Sequence, residues 1–174
     1  MSASTLISPE EYLATSYDPD CDYVDGEVIE RNMGESDHSG LQGVIFAMLY
    51  NQRRKAGIYV FPELRVQVSP TRYRIPDVTV TTRKGKGKIL REPPFLCIEI
   101  LSPEDRVSRM ETKIDDYLAF GVKYIWVIDP ASKTAWTYTS EGKRESTLVL
   151  ATRNPDITLS LGELFSELDE IVEK

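Results

Sequence analysis

Glu99 is a carboxylate inside an apolar segment of the chain. It lies in the run 95–101, where the alternation of a β-strand places its side chain on the same face as Cys97 and Leu101. A carboxylate in such a strand needs a cationic partner, a metal ion or a raised pKa, because burying an isolated charge is costly. The segment therefore predicts either a structural ion pair or a functional site.

Asp77 is a second acid in a comparable position. It follows Pro76 and opens the predicted strand 78–82, and neighbouring strands of a sheet lie only about 4.8 Å apart. Two carboxylates that converge at strand ends form a hard-oxygen site suited to Mg²⁺ or Mn²⁺, which keep several waters and use few protein ligands. The two acids are thus a candidate site for one of these ions.

A lysine on a nearby predicted helix supplies a third group. Lys113 lies on the flank of an apolar helical stripe, one turn before Tyr117, and its ammonium could reach back over the sheet toward Glu99. The alternative is a surface lysine whose stem covers apolar atoms, and Tyr117 itself is interpreted as a core residue. With the two acids, the amine would complete the side-chain set of a metal-dependent phosphodiesterase.

The elements that position these groups are predicted from hydrophobic spacing, capping residues and turn signals. Helices are expected at 8–17, 37–56 and 104–120, and after the capping box that Ser160 begins. Strands are expected at 58–68, 78–82, 95–101, 124–128, 136–139 and 148–151. Asp25-Gly26 predicts either a tight hairpin or a strand with a bulge over 23–29. The apolar runs indicate strands covered on both faces, with a βαβ crossover between 95 and 128. The predicted fold class is α/β, a mixed β-sheet flanked by helices.

Length and composition restrict the class of protein. A chain of 174 residues, 41% hydrophobic and 28% charged, is expected to form one globular domain over 1–174. The sequence shows neither a secretory signal nor an apolar run long enough to cross a membrane. Cys21 and Cys97 are expected to be free thiols because they form no metal-binding or disulfide pattern. A cytoplasmic location is therefore predicted.

The charge is distributed unevenly. The formal net charge of −7 argues against a general nucleic-acid coat protein, yet the acids concentrate in residues 1–37 and 163–174, so that the middle of the chain is net positive. Its densest basic run, 83–91, contains five Lys or Arg residues and two glycines. This run is interpreted either as a solvated hairpin tip or as a loop that contacts phosphates.

An ordered set of motifs resembles a known family. Pro76-Asp77 followed by Glu99-Ile100-Leu101 is similar to the PD-(D/E)XK nuclease superfamily, whose core is a restriction-endonuclease-like mixed sheet flanked by helices. The wider set resembles the Uma-type restriction endonuclease family. Its members here are Tyr23-Val24-Asp25-Gly26-Glu27, His38 at the start of the long helix, Pro76-Asp77, Pro93-Pro94, Glu99-Ile100-Leu101-Ser102-Pro103, Lys113 with Tyr117, and the segment 121–130.

The resemblance implies roles for individual residues. Asp77 and Glu99 would bind Mg²⁺ or Mn²⁺, and Lys113 would take the place of the superfamily lysine. The position two after Glu99 is Leu101 rather than Lys, so the lysine would have moved to the following helix. Glu27 matches the family's Asp-Gly-Glu and would add a metal or water contact. His38 matches the family as well. Two interpretations of it are equally supported: a role in the site, or a helix-start residue that is hydrogen-bonded to the backbone.

Three functional hypotheses follow. The first is a cytoplasmic Mg²⁺-dependent endonuclease that cleaves DNA as a homodimer, since two symmetric copies cut both strands of a duplex most simply. In it, Asp77 and Glu99 hold the metal at the scissile phosphate and Lys113 positions the attacking water. The second is a catalytically silent module of the same fold, which binds nucleic acid or a protein partner through 83–91. The third is a metal hydrolase that acts on RNA or a small phosphate ester.

Overall fold

A computed structural model describes residues 6–31, 36–103 and 107–172. The four helices within these ranges are α1 (Pro9–Ala14), α2 (Ser36–Ala56), α3 (Val107–Phe120) and α4 (Leu161–Ile171). The strands are β1 (Asp22–Val24), β2 (Glu27–Ile29), β3 (Tyr59–Pro62), β4 (Val66–Ser69), β5 (Arg72–Arg74), β6 (Val78–Thr81), β7 (Leu96–Ile100), β8 (Tyr124–Asp129), β9 (Thr134–Thr139), β10 (Gly142–Ser146), β11 (Val149–Ala151) and β12 (Thr158–Ser160).

The main sheet has six strands in the order β10-β9-β8-β7-β6-β3. Strands β7 and β8 pair in parallel through the α3 crossover, and the other neighbours pair antiparallel. A second sheet has the order β2-β1-β5-β4, and β11 pairs with β12. The predicted class, a mixed sheet flanked by helices, is therefore confirmed.

The central strands are covered on both faces, as their apolar composition predicts. All residues of β6 and β7 are buried. One face packs against α2 and α4 through a cluster that includes Leu96, Ile98 and Ile100. The other face packs against α3 and β4 through a cluster that includes Cys97. Glu99 is in phase with Cys97 along β7, so it faces α3.

Two local signals in the sequence have the predicted effect. Asp25 and Gly26 have positive φ of 49° and 102° and form the turn between β1 and β2, a backbone conformation that Asp-Gly adopts readily. The side chains of Ser8 and Ser160 accept hydrogen bonds from the first turns of α1 and α4. Helix α1 is shorter than predicted, because it ends at Ala14.

The prediction of one strand over 58–68 is wrong. The structure divides this segment into β3 and β4, which belong to different sheets. Glu63 has a left-handed φ of 47°, so the chain leaves the main sheet there, and its N–H donates to the carbonyl oxygen of Asp77 at 3.2 Å. The alternation of side chains continues through the break, which is why the sequence does not reveal it.

Other differences concern element boundaries. Strands β5, β10 and β12 were not predicted, because each is short and polar in sequence. Helix α3 is described from Val107, and the predicted start at 104 lies outside the described residues. Helix α2 begins at Ser36, one residue before the predicted start at 37. Cys21 and Cys97 are free thiols, as predicted, and both are buried. No helix in the described ranges has the length and apolar character that a membrane crossing requires.

Candidate active site

A cavity of about 270 Å³ lies at the ends of β6 and β7. Its walls come from the β1–β2 hairpin, the start of α2, the segment after β7 and the first turns of α3. Four of the five predicted site residues line it, namely His38, Asp77, Glu99 and Lys113. Glu27, the fifth, is not among the residues that line it.

The strand register brings the two acids together. Asp77 immediately precedes Val78 and Glu99 immediately follows Ile98, and Val78 and Ile98 are directly paired in the antiparallel ladder. Residues at opposed positions of such a ladder have their side chains on the same face of the sheet. Asp77 and Glu99 are 4% and 2% exposed, so both carboxylates are buried against this cavity.

Asp77 is held by donors from three elements. Its Oδ1 accepts from Arg31 at 2.8 Å, and its Oδ2 accepts from the backbone N–H of Ile100 at 2.8 Å. His38 Nε2 lies 3.4 Å from Oδ2, and Gln42, one turn later on α2, donates to the Asp77 carbonyl at 2.9 Å. The beginning of α2 therefore fixes Asp77 through two residues spaced four apart.

Glu99 is held in a similar way by two donors from α3. Lys113 Nζ donates to Oε2 at 3.0 Å, and the Tyr117 hydroxyl donates to Oε1 at 2.6 Å. These donors are also four residues apart, on the face of α3 that packs against the sheet. Each acid of the pair is thus oriented by one turn of a different helix.

The environments of the two acids move their pKa values in opposite directions. Burial raises the pKa of Glu99, and the charge of Lys113 offsets this rise only in part. Burial acts in the same direction on Asp77, but the hydrogen bond and charge of His38, together with the charges of Lys113 and Arg31, outweigh it and lower the pKa of that carboxyl. Asp77 is therefore the more strongly ionised member of the pair.

Lys113 remains a cation in spite of its burial. Burial lowers the pKa of the ammonium, but the negative charges of Asp22 and Glu99 outweigh that effect and raise it above its ordinary value. The amine therefore acts as a positive charge at the cavity wall and as a hydrogen-bond donor.

The remaining predicted residues have different outcomes. His38, the single histidine of the chain, lies at the cavity beside Asp77 rather than bonded only to its own helix. Glu27 is exposed on β2 and pairs with Val24 across the hairpin. Glu27 is not among the residues that line the cavity, whereas Glu30, three residues later, is.

Four residues that contact Asp77, Glu99 or Lys113 were not predicted from the sequence. Arg31 bridges Asp77 and Glu63, and Asp22 lies 3.7 Å from the Lys113 ammonium. Gln42 and Tyr117 were assigned no site role. A signal for Arg31 existed, since it is the single basic residue among the first 37. Tyr117 is fully buried, so the core interpretation is correct but incomplete.

Asp77 and Glu99 are the two carboxylates of the cavity that could hold a divalent metal ion. The part of the chain that the structure describes contains no group of three or more His, Cys, Asp and Glu side chains able to hold a metal. Mg²⁺ and Mn²⁺ do not need such a group, because one or two carboxylates, waters and substrate phosphate oxygens complete their coordination. Asp77 and Glu99 meet that smaller requirement. Arg31 and Lys113 already neutralise them, so an ion at this pair must compete with these cations.

The basic run 83–91 lies at the other ends of the same strands. It begins at Arg83, after the end of β6, whereas Asp77 precedes the beginning of β6. At about 3.4 Å per residue the two positions are about 20 Å apart. Its Lys and Arg side chains are exposed, and Arg83 pairs with Glu92 at 3.7 Å on the surface. Any phosphate that this loop contacts is therefore distinct from one that enters the cavity.

A mixed sheet with two acids and a lysine at one cavity defines the restriction-endonuclease-like class of nuclease folds. The chain belongs to the Uma2 family, whose model, described as "Putative restriction endonuclease", matches residues 9–169. It is therefore a member of a nuclease family. No curated protein sequence matches the chain.

One solved structure agrees with this family assignment. A "putative nuclease belonging to DUF820" from Anabaena variabilis is 25% identical and superposes with a TM-score of 0.82. The match covers 93% of this chain and 99% of that chain. A DrdV–DNA complex is 14% identical with a TM-score of 0.43, over 80% of this chain and 12% of that chain. The latter score is too low to indicate a common fold.

The ionisation of His38 gives a direct test of its contact with Asp77. Burial lowers the pKa of His38, but the hydrogen bond and charge of Asp77 outweigh it and raise the pKa above its ordinary value. Because the folded pKa is the higher one, this contact stabilises the chain fully below the unfolded pKa of about 6.5. The contribution is lost as the pH rises through the folded value.

We expect NMR titration of this single imidazole to give a pKa above 6.5 in the metal-free protein. Asp77→Asn should lower it, whereas Glu141→Gln, on the exposed turn between β9 and β10, should leave it unchanged. A pKa at or below 6.5, or one that Asp77→Asn does not move, would show that the two side chains do not interact in solution.

Proposed function

We propose that this protein is a divalent-metal-dependent endonuclease that hydrolyses phosphodiester bonds in DNA. The observation that carries the proposal is the convergence of Asp77, Glu99 and Lys113 on one cavity, with Lys113 within 3.0 Å of Glu99. Membership of a family described as restriction endonucleases supports the reaction class.

The chain's own residues would divide the work of the reaction. Asp77 and Glu99 would hold Mg²⁺ or Mn²⁺, which when bound stabilises the charge that develops on the phosphate. Lys113 would donate hydrogen bonds to the attacking water and to a phosphate oxygen, because its ammonium is charged and directed at the same cavity. Water would displace the 3′ oxygen in line, which leaves a 5′ phosphate on one product and a 3′ hydroxyl on the other.

Arg31 and Tyr117 would keep the acids in place for this reaction. The Arg31 guanidinium limits the repulsion between Asp77 and nearby acids, and the Tyr117 hydroxyl fixes the rotamer of Glu99. His38, through Asp77, would act on the metal ligand rather than on the phosphate. The first turns of α3 form one wall of the cavity, so the scissile phosphate would enter beside Arg109 and Thr112.

The deciding experiment compares nucleic acids and metals. Purified protein is incubated with supercoiled, linear and single-stranded DNA and with RNA, in Mg²⁺, Mn²⁺ or EDTA. We expect cleavage of DNA with either metal and none in EDTA. Cleavage of RNA alone would replace the DNA assignment, and equal cleavage in EDTA would eliminate the metal-dependent mechanism.

Metal binding can be measured without turnover. We expect calorimetry or the EPR signal of free Mn²⁺ to show one class of Mn²⁺ site that Asp77→Asn removes. Glu141→Gln is the matched control, since it removes an exposed carboxylate from a distant turn. Unchanged Mn²⁺ affinity in Asp77→Asn would mean that the metal binds elsewhere.

A silent module that binds nucleic acid through 83–91 is the second candidate. It is favoured by the exposure of this basic loop, which begins about 20 Å along the strand from Asp77. Such a module would bind DNA without cleavage and without Mn²⁺, and charge removal at Lys84 and Lys86 would weaken it. Asp77→Asn would leave its DNA affinity unchanged.

We also propose that the enzyme works in the cytoplasm as a homodimer. One active site can cleave one strand at a time, and two symmetric copies would cut both strands of a duplex. Light scattering should give twice the chain mass of 19.8 kDa at the concentrations that cleave DNA. A monomer that linearises supercoiled DNA in one step would contradict this.

A further inference from the structure

A line of alternating charges ends in the cavity wall, and most of its members have no part in the proposed mechanism. It runs from the β1–β2 turn to the site and joins β1, β5, α3 and β7. Its members, in order, are Asp25, Arg72, Asp116, Arg74, Asp22, Lys113 and Glu99. Asp22 is the last acid in this line before the catalytic lysine.

Asp22 is itself rigidly held. It is 1% exposed, and its Oδ1 accepts from the backbone N–H of Ile75 at 3.0 Å. Its Oδ2 faces two cations, with Arg74 Nη1 at 3.1 Å and Lys113 Nζ at 3.7 Å. One carboxylate oxygen therefore separates an arginine from a lysine.

The two cations differ in their freedom to move. Arg74 is fixed by Asp116, whose Oδ2 accepts from Nε at 2.8 Å and lies 2.6 Å from Nη2. Lys113 is at the cavity wall on a long side chain, and its other carboxylate partner is Glu99. If the charge of Asp22 were removed, Arg74 would repel Lys113, and the lysine would be the group that moves.

We propose that Asp22 is a positioning residue that holds the Lys113 ammonium at the point where it faces both Glu99 and the substrate phosphate. This inference rests on the proposed nuclease function. Asp22 contacts neither the metal nor the phosphate in this role, and acts through the lysine. The signal in the sequence is weak, because Asp22 is simply an acid at the start of a short strand.

Asp22→Asn tests the role, because asparagine keeps an acceptor for Ile75 and loses the charge. We expect kcat to fall about tenfold to a hundredfold, the usual cost of losing a group that orients a site residue. KM for DNA should change less than kcat. The affinity for Mn²⁺ should not fall, because a lysine that moves away from Glu99 competes less with the ion. Asp22→Asn combined with Lys113→Gln should be no slower than Lys113→Gln alone.

Asp116→Asn is the control for a purely structural effect. Asp116 is buried and shares Arg74, yet the Lys113 ammonium does not contact it among the described ion pairs. We expect Asp116→Asn to lower the melting temperature and to leave kcat near that of the wild type. Additive losses in the Asp22 and Lys113 double variant, or an equal loss of kcat in Asp116→Asn, would overturn the positioning role.

A crystal structure of the Asp22→Asn variant tests the same role without an activity assay. We expect Lys113 Nζ to lie more than about 4 Å from Glu99 Oε2, beyond hydrogen-bond range. An ammonium that stays at its wild-type position would overturn the inference. If the wild-type protein cleaves no nucleic acid, the proposed function fails, whereas the displacement of Lys113 still decides whether Asp22 positions it.

Discussion

Replacing Glu99 with Gln is expected to lower the rate of DNA cleavage on the order of a thousandfold. The amide has the same shape but lacks the charge that would hold the metal, and charge stabilisation by a metal ion is worth several kcal/mol in the transition state. Single-turnover cleavage of a labelled duplex in Mg²⁺ measures the loss. The fold should persist, because Tyr117 can still donate to the amide oxygen.

Glu111→Gln is the matched control for this prediction. The substitution is the same, but Glu111 is exposed on α3, two residues before Lys113. Its cleavage rate should equal that of the wild type. If Glu99→Gln retained more than about a tenth of the wild-type rate, with its circular dichroism unchanged, Glu99 would have no metal-binding role.

The central part of the site was predictable because its signals are local. A carboxylate in an apolar strand must have a partner. The strand that carries Glu99 and the next strand along the chain define the crossover helix between them, which carries Lys113. These features require nothing beyond the period of a strand and of a helix. The same reasoning predicted β6, β7, β8 and α3 and the helices on both sides of the sheet.

The rest of the site depends on contacts between segments that are distant in sequence. Asp22 reaches Lys113 only because β1 pairs with β5 and β5 brings Arg74 beside α3. The register of such short polar strands cannot be obtained from a hydrophobic pattern, since they present too few apolar residues to define a face. Arg31 was missed because its contact with Asp77 also joins segments that are distant in sequence. Glu27 was assigned from the family motif alone, and it does not line the cavity.

The two helices explain why the acids can remain charged and buried together. His38 and Gln42 fix Asp77 from α2, and Lys113 and Tyr117 fix Glu99 from α3. On α3 the cation and the neutral donor both reach the Glu99 carboxylate, whereas on α2 His38 faces the Asp77 carboxylate and Gln42 holds the Asp77 backbone carbonyl. A metal ion that enters between the acids would replace the cations' electrostatic role and leave the neutral donors in place.

Arg74 is expected to be the most important single side chain for stability in the charge network. It is 4% exposed, and its guanidinium is shared between Asp22 and Asp116. Arg74→Met keeps much of the apolar stem but leaves two buried acids with fewer cationic partners. Removal of one partner from a buried ion pair costs about 3 kcal/mol or more, and denaturant unfolding at neutral pH measures the change.

Arg83→Met is the control, because Arg83 pairs with Glu92 on the surface, where the two side chains are 82% and 69% exposed. That pair is worth at most about 1 kcal/mol. Adding Asp116→Asn to Arg74→Met should recover part of the lost stability, since it removes one of the uncompensated charges. If Arg74→Met cost no more than Arg83→Met, the acids it contacts would have other partners in solution, and the charge line would not hold α3 against β1 and β5.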